Sequence, residues 1–320
     1  MHSRNESSFS KQELDAKKQK WVEQMKESPI ALVPEKANEQ HYEVPPSFFE
    51  EALGSNLKYS SGYWPSSETT LDQSEVSMLE LSCERAELKD GQNILELGCG
   101  WGSLTCFMAS QYPNSQITAV SNSKDQKEHI LKRCEDSGLA NVNVITADMN
   151  EFSTDQSFDR VISIEMFEHM RNYKNLLKRL SNLMVEDGKL FVHVFCHKQS
   201  AYLYEIKNER DWMTKYFFTG GIMPSKDIFN FFDEDLMVVN SWEINGKHYS
   251  QTSKAWLKNM DKDSKIIKLF SKLLPKTLAF ITLNSENLLS FSTYVLFALT
   301  PAPNVTLPPT NKIFFFFLNP

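Results

Sequence analysis

The stretch SIEMFEHMRNY, residues 163–173, sets Glu165, Glu168 and His169 within five positions of one another. Two carboxylates and an imidazole so close can hold a metal, move protons, or start a helix. Glu165 and His169 are four apart and can share a helical face, with Glu168 one residue off it. Neither HExxH nor a Glu-x-x-His ferritin-type spacing is present, so no metal is expected. An imidazole of ordinary pKa (about 6.5) beside carboxylates suits acid–base work. The simpler reading is that the acids cap the following helix, worth about half a kcal/mol, and this can hold beside catalysis.

A second chemistry-bearing stretch is ILELGCGWGSLTCFMA (94–109), a buried strand, a glycine-rich turn and a helix. Gly98, Gly100 and Gly102 allow a sharp turn and close approach of a ligand, and the helix N-terminus behind them favours a carboxylate. A tight turn alone would also use such glycines. The third glycine follows the second by two residues, not three as in the dinucleotide fingerprint, and Glu96 is placed to accept from a ligand's amino group. The next strand ends in AVSNSKDQ (119–126), where Ser121, Asn122 and Gln126 stand in place of the acid that grips a ribose in dinucleotide enzymes. After the third strand, Asp148 in ADM can accept from an adenine amino group. An amino-acid carboxylate, a ribose and an adenine met at successive strand ends describe S-adenosylmethionine.

The elements that must position these residues alternate along the chain. NILEL (93–97), QITAV (116–120), VNVIT (142–146), RVISI (160–164), KLFVHVF (189–195) and DLMVVNSWEI (235–244) read as strands, separated by helical stretches. This is the pattern of βαβ units and a parallel sheet with helices on both faces. Upstream, TLDQSEVSMLELSCERA (70–86) reads as a helix. Residues 1–38 read as a polar, partly disordered segment, within which Lys11 to Lys26 form a solvated helix. The paired prolines of HYEVPPSFFEEALG block a helix before the aromatic run. The division expected is 1–38, a main domain over 39–265 (an N-terminal cap, 39–88, and a Rossmann-like core, 89–265), and an apolar, poorly ordered tail over 266–320.

The 320 residues suffice for one large domain with appendages. A net charge of -7 argues against nucleic acid as a partner and weakly against an anionic membrane surface. Five scattered cysteines without a CxxC pair, and no apolar secretory segment at the N-terminus, fit a cytoplasmic protein with reduced thiols. Residues 271–320 hold six prolines, seven phenylalanines and only four charged side chains. The apolar run at 277–300 has the length of a membrane span, but Asn284, Glu286 and Asn287 at its centre argue against stable insertion. Trp64, Phe167, Trp212 and Phe218 can enclose a cation or an apolar acceptor, or serve the core. His197 and His248 read as hydrogen-bonded structural residues.

Taken together, LELGCGWG, YSSGYW (59–64), HYEVPPSFF, SNSKDQ and EMFEHM resemble the cyclopropane-fatty-acid synthase and mycolic-acid methyltransferase superfamily. IEMFEHMRNY, FVHVFCHK (191–198) and NGKHYSQTSKAWLKNMD (245–261) resemble most its coclaurine N-methyltransferase-like branch. The resemblance implies an α/β, class I methyltransferase fold with a seven-stranded sheet whose last strand is antiparallel. It implies cofactor contacts from Tyr59 and Ser60, from the turn Leu95 to Gly102, from Ser121, Asn122 and Gln126, and from Asp148 with Met149. It also implies Glu165, Glu168 and His169 at the substrate amine, and His193 as the pocket histidine. Ser61 stands where cyclopropane synthases carry a cysteine lining a bicarbonate pocket, which leaves bicarbonate open but weakens a proton-removing role. The final antiparallel strand is expected to be missing or replaced, because the last fifty residues lack the family's helices and strand. The function expected is N-methylation of a small amine. C-methylation or cyclopropanation of an unsaturated acyl lipid is the second reading, and an inactive truncated or mis-spliced variant the third.

Overall fold

Short runs rich in Val, Ile and Leu, apolar on both faces, belong inside a parallel sheet covered on both sides, and six of them form one here. The computed structural model describes residues 10–32, 45–197, 200–207, 214, 218–262 and 293–301. In chain order, β1 is Asn93–Leu97, β2 Gln116–Ser121, β3 Val142–Thr146, β4 Phe158–Ile164 and β5 Met184–Cys196. Tyr202–Leu203 (β6) and Ile222–Met223 (β7) make a separate small ladder, followed by β8, Leu236–Asn245, and β9, Thr293–Pro301. The main sheet runs β3-β2-β1-β4-β5-β9-β8. The first five strands are mutually parallel, whereas β9 runs antiparallel to both β5 and β8.

Of the two expectations for the last strand, missing or replaced, the structure has the second. TYVLFALTP, drawn from the atypical tail, occupies that place, with Leu296 opposite both His193 and Trp242. The remainder of 266–320, including the run at 277–292, lies outside the described residues, as does the expected disorder of residues 1–9. Among the described residues no helix is long and apolar enough to cross a membrane.

Strand residues alternate between two cores. Leu95, Val161, Leu190 and Val192 pack on one face, Ile94, Ile162 and Phe191 on the other. The first core is closed by α1 (Lys11–Lys26) and α6 (Tyr173–Leu183), the second by α2 (Pro46–Ala52), α3 (Leu71–Arg85) and α7 (Lys247–Lys262). Between them in sequence lie α4 (Ser103–Gln111) and α5 (Lys124–Asp136). Local sequence dictates the starts: Thr70 and Gln73 form a capping box on α3, and Ser123 caps α5.

Two upstream expectations are corrected. The helix over Lys11–Lys26 is present, opened by a Ser10–Glu13 capping box, but it is docked rather than solvated. Trp21, Val22 and Met25 are buried, and Lys18 pairs with Asp227 at 2.7 Å. The spacing i, i+1, i+4 makes a narrow apolar stripe, enough to seat a helix that is otherwise polar. The paired prolines do not block a helix. Pro45 caps α2 and Pro46 takes its first turn, where the missing N–H costs nothing, and Phe48 and Phe49 enter the core.

Candidate active site

The turn between β1 and α4 opens onto a cavity at the carboxyl ends of the strands. Gly98 has φ +75°, and a Cβ there would come within 2.7 Å of the Met166 side chain. Gly100 has φ +52°, and a Cβ there would meet nothing within 4 Å, so the backbone itself is exposed to the cavity. Gly102 is the N-cap of α4. Leu95 is buried beneath, whereas Glu96 lines the cavity and accepts from the Thr105 hydroxyl at 2.5 Å. Burial pushes the Glu96 carboxyl up to about 8, against the lowering effect of Thr105. The Ser103 hydroxyl and the Trp101 indole N–H also line the cavity, buried and without a hydrogen-bond partner among the described residues. Two unmet donors at a helix N-terminus fit a carboxylate, and Glu96 fits an ammonium. That set matches the amino-acid end of S-adenosylmethionine.

A second cavity adjoins it, with Gly98 and His169 in the walls of both. Ser121, Asn122, Gln126, Asp148 and Met149 line this part. Ser121 donates to Gln126 Oε1 at 2.6 Å, which orients the Gln126 amide, while Gln126 Nε2 is buried without a partner among the described residues. An unmet donor beside a serine suits a sugar hydroxyl. Asp148 accepts from the Asn150 N–H at 2.8 Å, and Met149, Met166 and Met170 give apolar walls suited to an aromatic base. Tyr59 and Ser60 line the first cavity, on the loop after α2.

The acid–histidine cluster is spread over three depths. Glu165 ends β4 with φ +49°, a left-handed conformation uncommon for a side-chain-bearing residue, and this turns it into the cavity. Phe167–His169 then form a single 3-10 turn. The capping reading is corrected here: α6 starts only at Tyr173, and Asn172 caps it by accepting from the Asn175 N–H at 2.9 Å. His169 lines both cavities, its ring stacked 5.2 Å from that of Phe218. Glu168 does not reach either cavity. It is fully buried and accepts from the Phe195 N–H at 2.8 Å, and burial beside the Glu165 charge raises its pKa well above the carboxylate range.

His193, on β5, is also fully buried, with Nε2 3.9 Å from Glu165 Oε1. Burial pushes its pKa well below the usual value, so it meets Glu165 as a neutral imidazole, not as an ion-pair partner. Burial raises Glu165 itself to about 7, opposed by the Lys58 ammonium, the Ser61 N–H and the Tyr249 hydroxyl. Trp101 lies in the turn expected to hold the cofactor, whereas Lys58, Ser103, Phe195 and Tyr249 were not singled out by sequence. Of these, Ser103 was recoverable as the first residue of the helix behind the turn.

Of the candidate aromatics among the described residues, Phe218 lines the cavity. Phe167 packs in the core against Tyr173 and Phe229, Trp64 donates to Thr252, and Trp212 lies outside the described residues. His197 and His248 accept from the backbone N–H groups of Ser200 and Trp64, consistent with structural roles.

Comparison with known proteins accords with this geometry. The family model "Mycolic acid cyclopropane synthetase" matches residues 33–281. The (S)-coclaurine N-methyltransferase of Thalictrum flavum subsp. glaucum is 45% identical over 246 residues, 76% of this chain and 68% of that protein. Pavine N-methyltransferase of the same plant is 44% identical over 247 residues, 75% of this chain and 69% of that protein. The crystal structure of coclaurine N-methyltransferase bound to N-methylheliamine and SAH superposes with a TM-score of 0.87 at 36% identity, covering 93% of this chain and 92% of that one. The chain thus belongs to the mycolic acid cyclopropane synthetase family, and it is an S-adenosylmethionine-dependent methyltransferase.

Proposed function

We propose that this enzyme methylates the nitrogen of a small amine, with Glu165 and His169 as the acceptor-side acid–base pair. The observation that carries the reading is that these two side chains share a cavity wall with the Gly98–Gly100 turn. The cofactor, when bound, supplies an electrophilic methyl group. The chain's part is to align a nucleophile and to bring it there unprotonated. An amine arriving as an ammonium needs a nearby carboxylate to attract it and a group to take its proton. Glu165, with a pKa near 7, is balanced for that exchange around neutrality. Glu168, held protonated against the Phe195 N–H, supports the turn carrying His169 rather than touching the amine.

Glu96, Trp101 and Ser103 take the amino-acid end of the cofactor in this reading, Ser121, Asn122 and Gln126 the ribose, Asp148 and Met149 the adenine. The relatives named for N-methylation of coclaurine and pavine support an amine acceptor. A second reading, C-methylation or cyclopropanation of an unsaturated acyl chain, is favoured by buried His193 beside Glu165 and by the family's name. Ser61, where a thiol would stand, favours the amine: its hydroxyl is turned to the Gly62 carbonyl. We place the enzyme in the cytoplasm as a soluble protein, supported by five cysteines that stay out of disulfides, most of them buried, and a net charge of -7. The family match at 33–281 supports a catalytic domain close to 39–265.

Methyl transfer assayed across secondary and tertiary amines and unsaturated phospholipids decides the acceptor. Transfer to amines alone is expected, and transfer to phospholipid alone overturns the reading. His169→Ala should cut turnover by about 10²-fold or more while SAH affinity by calorimetry changes little. Equal losses would make the histidine a structural residue.

A further inference from the structure

Lys58 is an amine buried where a charge is costly, and the chemistry above makes no use of it. It is only 3% exposed, yet it lines the cavity. Its Nζ donates to the Ser60 hydroxyl at 2.5 Å and to the Ser61 carbonyl at 2.8 Å. Ser61 in turn donates its N–H to Glu165 Oε1 at 3.1 Å. Lys58 and Glu165 therefore hold the two polar groups of one residue's backbone, one from each side. The preceding residue, Leu57, has φ +53°, and Glu165 has φ +49°, so a left-handed residue aims each side chain. From α3, the buried Glu75 accepts from the Gly54, Asn56 and Lys58 N–H groups and fixes the loop from which Lys58 projects.

We infer that Lys58 is a positioning residue for methyl transfer, whose buried ammonium holds both the Ser60–Ser61 loop and Glu165 in its ionised, acceptor-facing state. The inference rests on Glu165 acting on the acceptor side. Tyr59, Glu96 and His169 line the same cavity, and other groups bear on the pair directly. Glu75 and Glu165 are the carboxylates whose charges sustain the Lys58 ammonium against burial, which lowers it to about 8. Tyr249, from α7, bonds Glu165, and neutral His193, from β5, lies beside it. Glu168 adds no charge when protonated. Burial alone would neutralise Glu165, and the Lys58 cation is the charged group that opposes this. A neutral residue in its place leaves Glu165 protonated at neutral pH, unable to attract or deprotonate an ammonium.

The test is a pH titration of the Glu165 carboxyl by difference infrared spectroscopy on the full chain, its band assigned by Glu165→Gln. The midpoint expected is about 7 in the native sequence. It should rise by about one unit or more in both Lys58→Met and Lys58→Gln, and stay in place in Lys58→Arg. Lys58→Gln keeps a donor for the Ser61 carbonyl, so it separates loss of charge from loss of the loop bond. Turnover with (S)-coclaurine as probe amine should show its acid limb displaced upward by the same amount. Substrate ionisation is common to all variants and cancels in that comparison. An unmoved midpoint in both neutral variants, or an arginine variant that behaves like methionine, overturns the inference. If Glu165→Gln leaves amine methylation intact, the functional reading falls, while the infrared midpoints still decide the role of Lys58.

Discussion

Glu96 shows what a single residue at this site is asked to do. Its carboxyl is buried with one hydroxyl partner, so it holds its proton up to about 8. A cofactor ammonium reverses that balance, because it interacts only with the carboxylate. Affinity for SAH should therefore fall as pH drops below about 8, by up to tenfold per unit, with proton release on binding measurable by calorimetry in two buffers. Glu96→Gln should flatten that dependence and weaken binding at alkaline pH. The same shift costs folding stability. The folded carboxyl keeps its proton where the unfolded one has lost it, so the contribution declines as pH rises from the unfolded value towards about 8. Glu96, Ser121, Gln126 and Asp148 were legible in the sequence because each sits just inside or beyond the end of a strand, where open α/β sheets bind ligands. Lys58 and Tyr249 were not, since tertiary packing alone brings them to Glu165.

The N-terminal helix matters more than its composition suggests. It docks on α6 through Trp21, Val22 and Met25, and the chain after it reaches the cofactor cavity. Asn150 locks that arrival, accepting from the Ala31 N–H and donating to the Ala31 carbonyl, both at 3.0 Å. Its neighbours Asp148 and Met149 line the same cavity, on the side proposed for the adenine. Met25→Ala should cost about 2–5 kcal/mol in urea unfolding, and SAH affinity should fall as Ala31 loosens. An unchanged melting temperature would show that the helix is not seated in solution. The helix itself was readable from its cap and period, but its burial was not: three apolar residues among many charges give no clear face until a complementary groove exists. Five of the six strands read from sequence agree with the structure to within two residues, since apolar runs carry their signal locally, but β5 starts five residues earlier than read and the short β6 and β7 were missed.

At the scale of the molecule, β9 joins β5 to β8 and supplies hydrogen bonds to both. Leu296→Pro removes a ladder donor in the middle of the sheet and should destabilise the fold by on the order of 3 kcal/mol, read as a loss of melting temperature and of SAH binding together. A variant of native stability would mean that β9 contributes little to the sheet. The strand was only half legible: TYVLFAL has strand composition, but register here is dictated by two neighbours far away in sequence. That distance has a temporal side. On the ribosome β5 and β8 emerge well before residues 293–301, and each must wait with an unpaired edge, the kind that recruits another chain. Synthesis of this protein therefore includes an interval in which the gap between β5 and β8 stays open, and a chaperone or a slow concentration regime should raise the folded yield more than any gain in local helix or turn propensity.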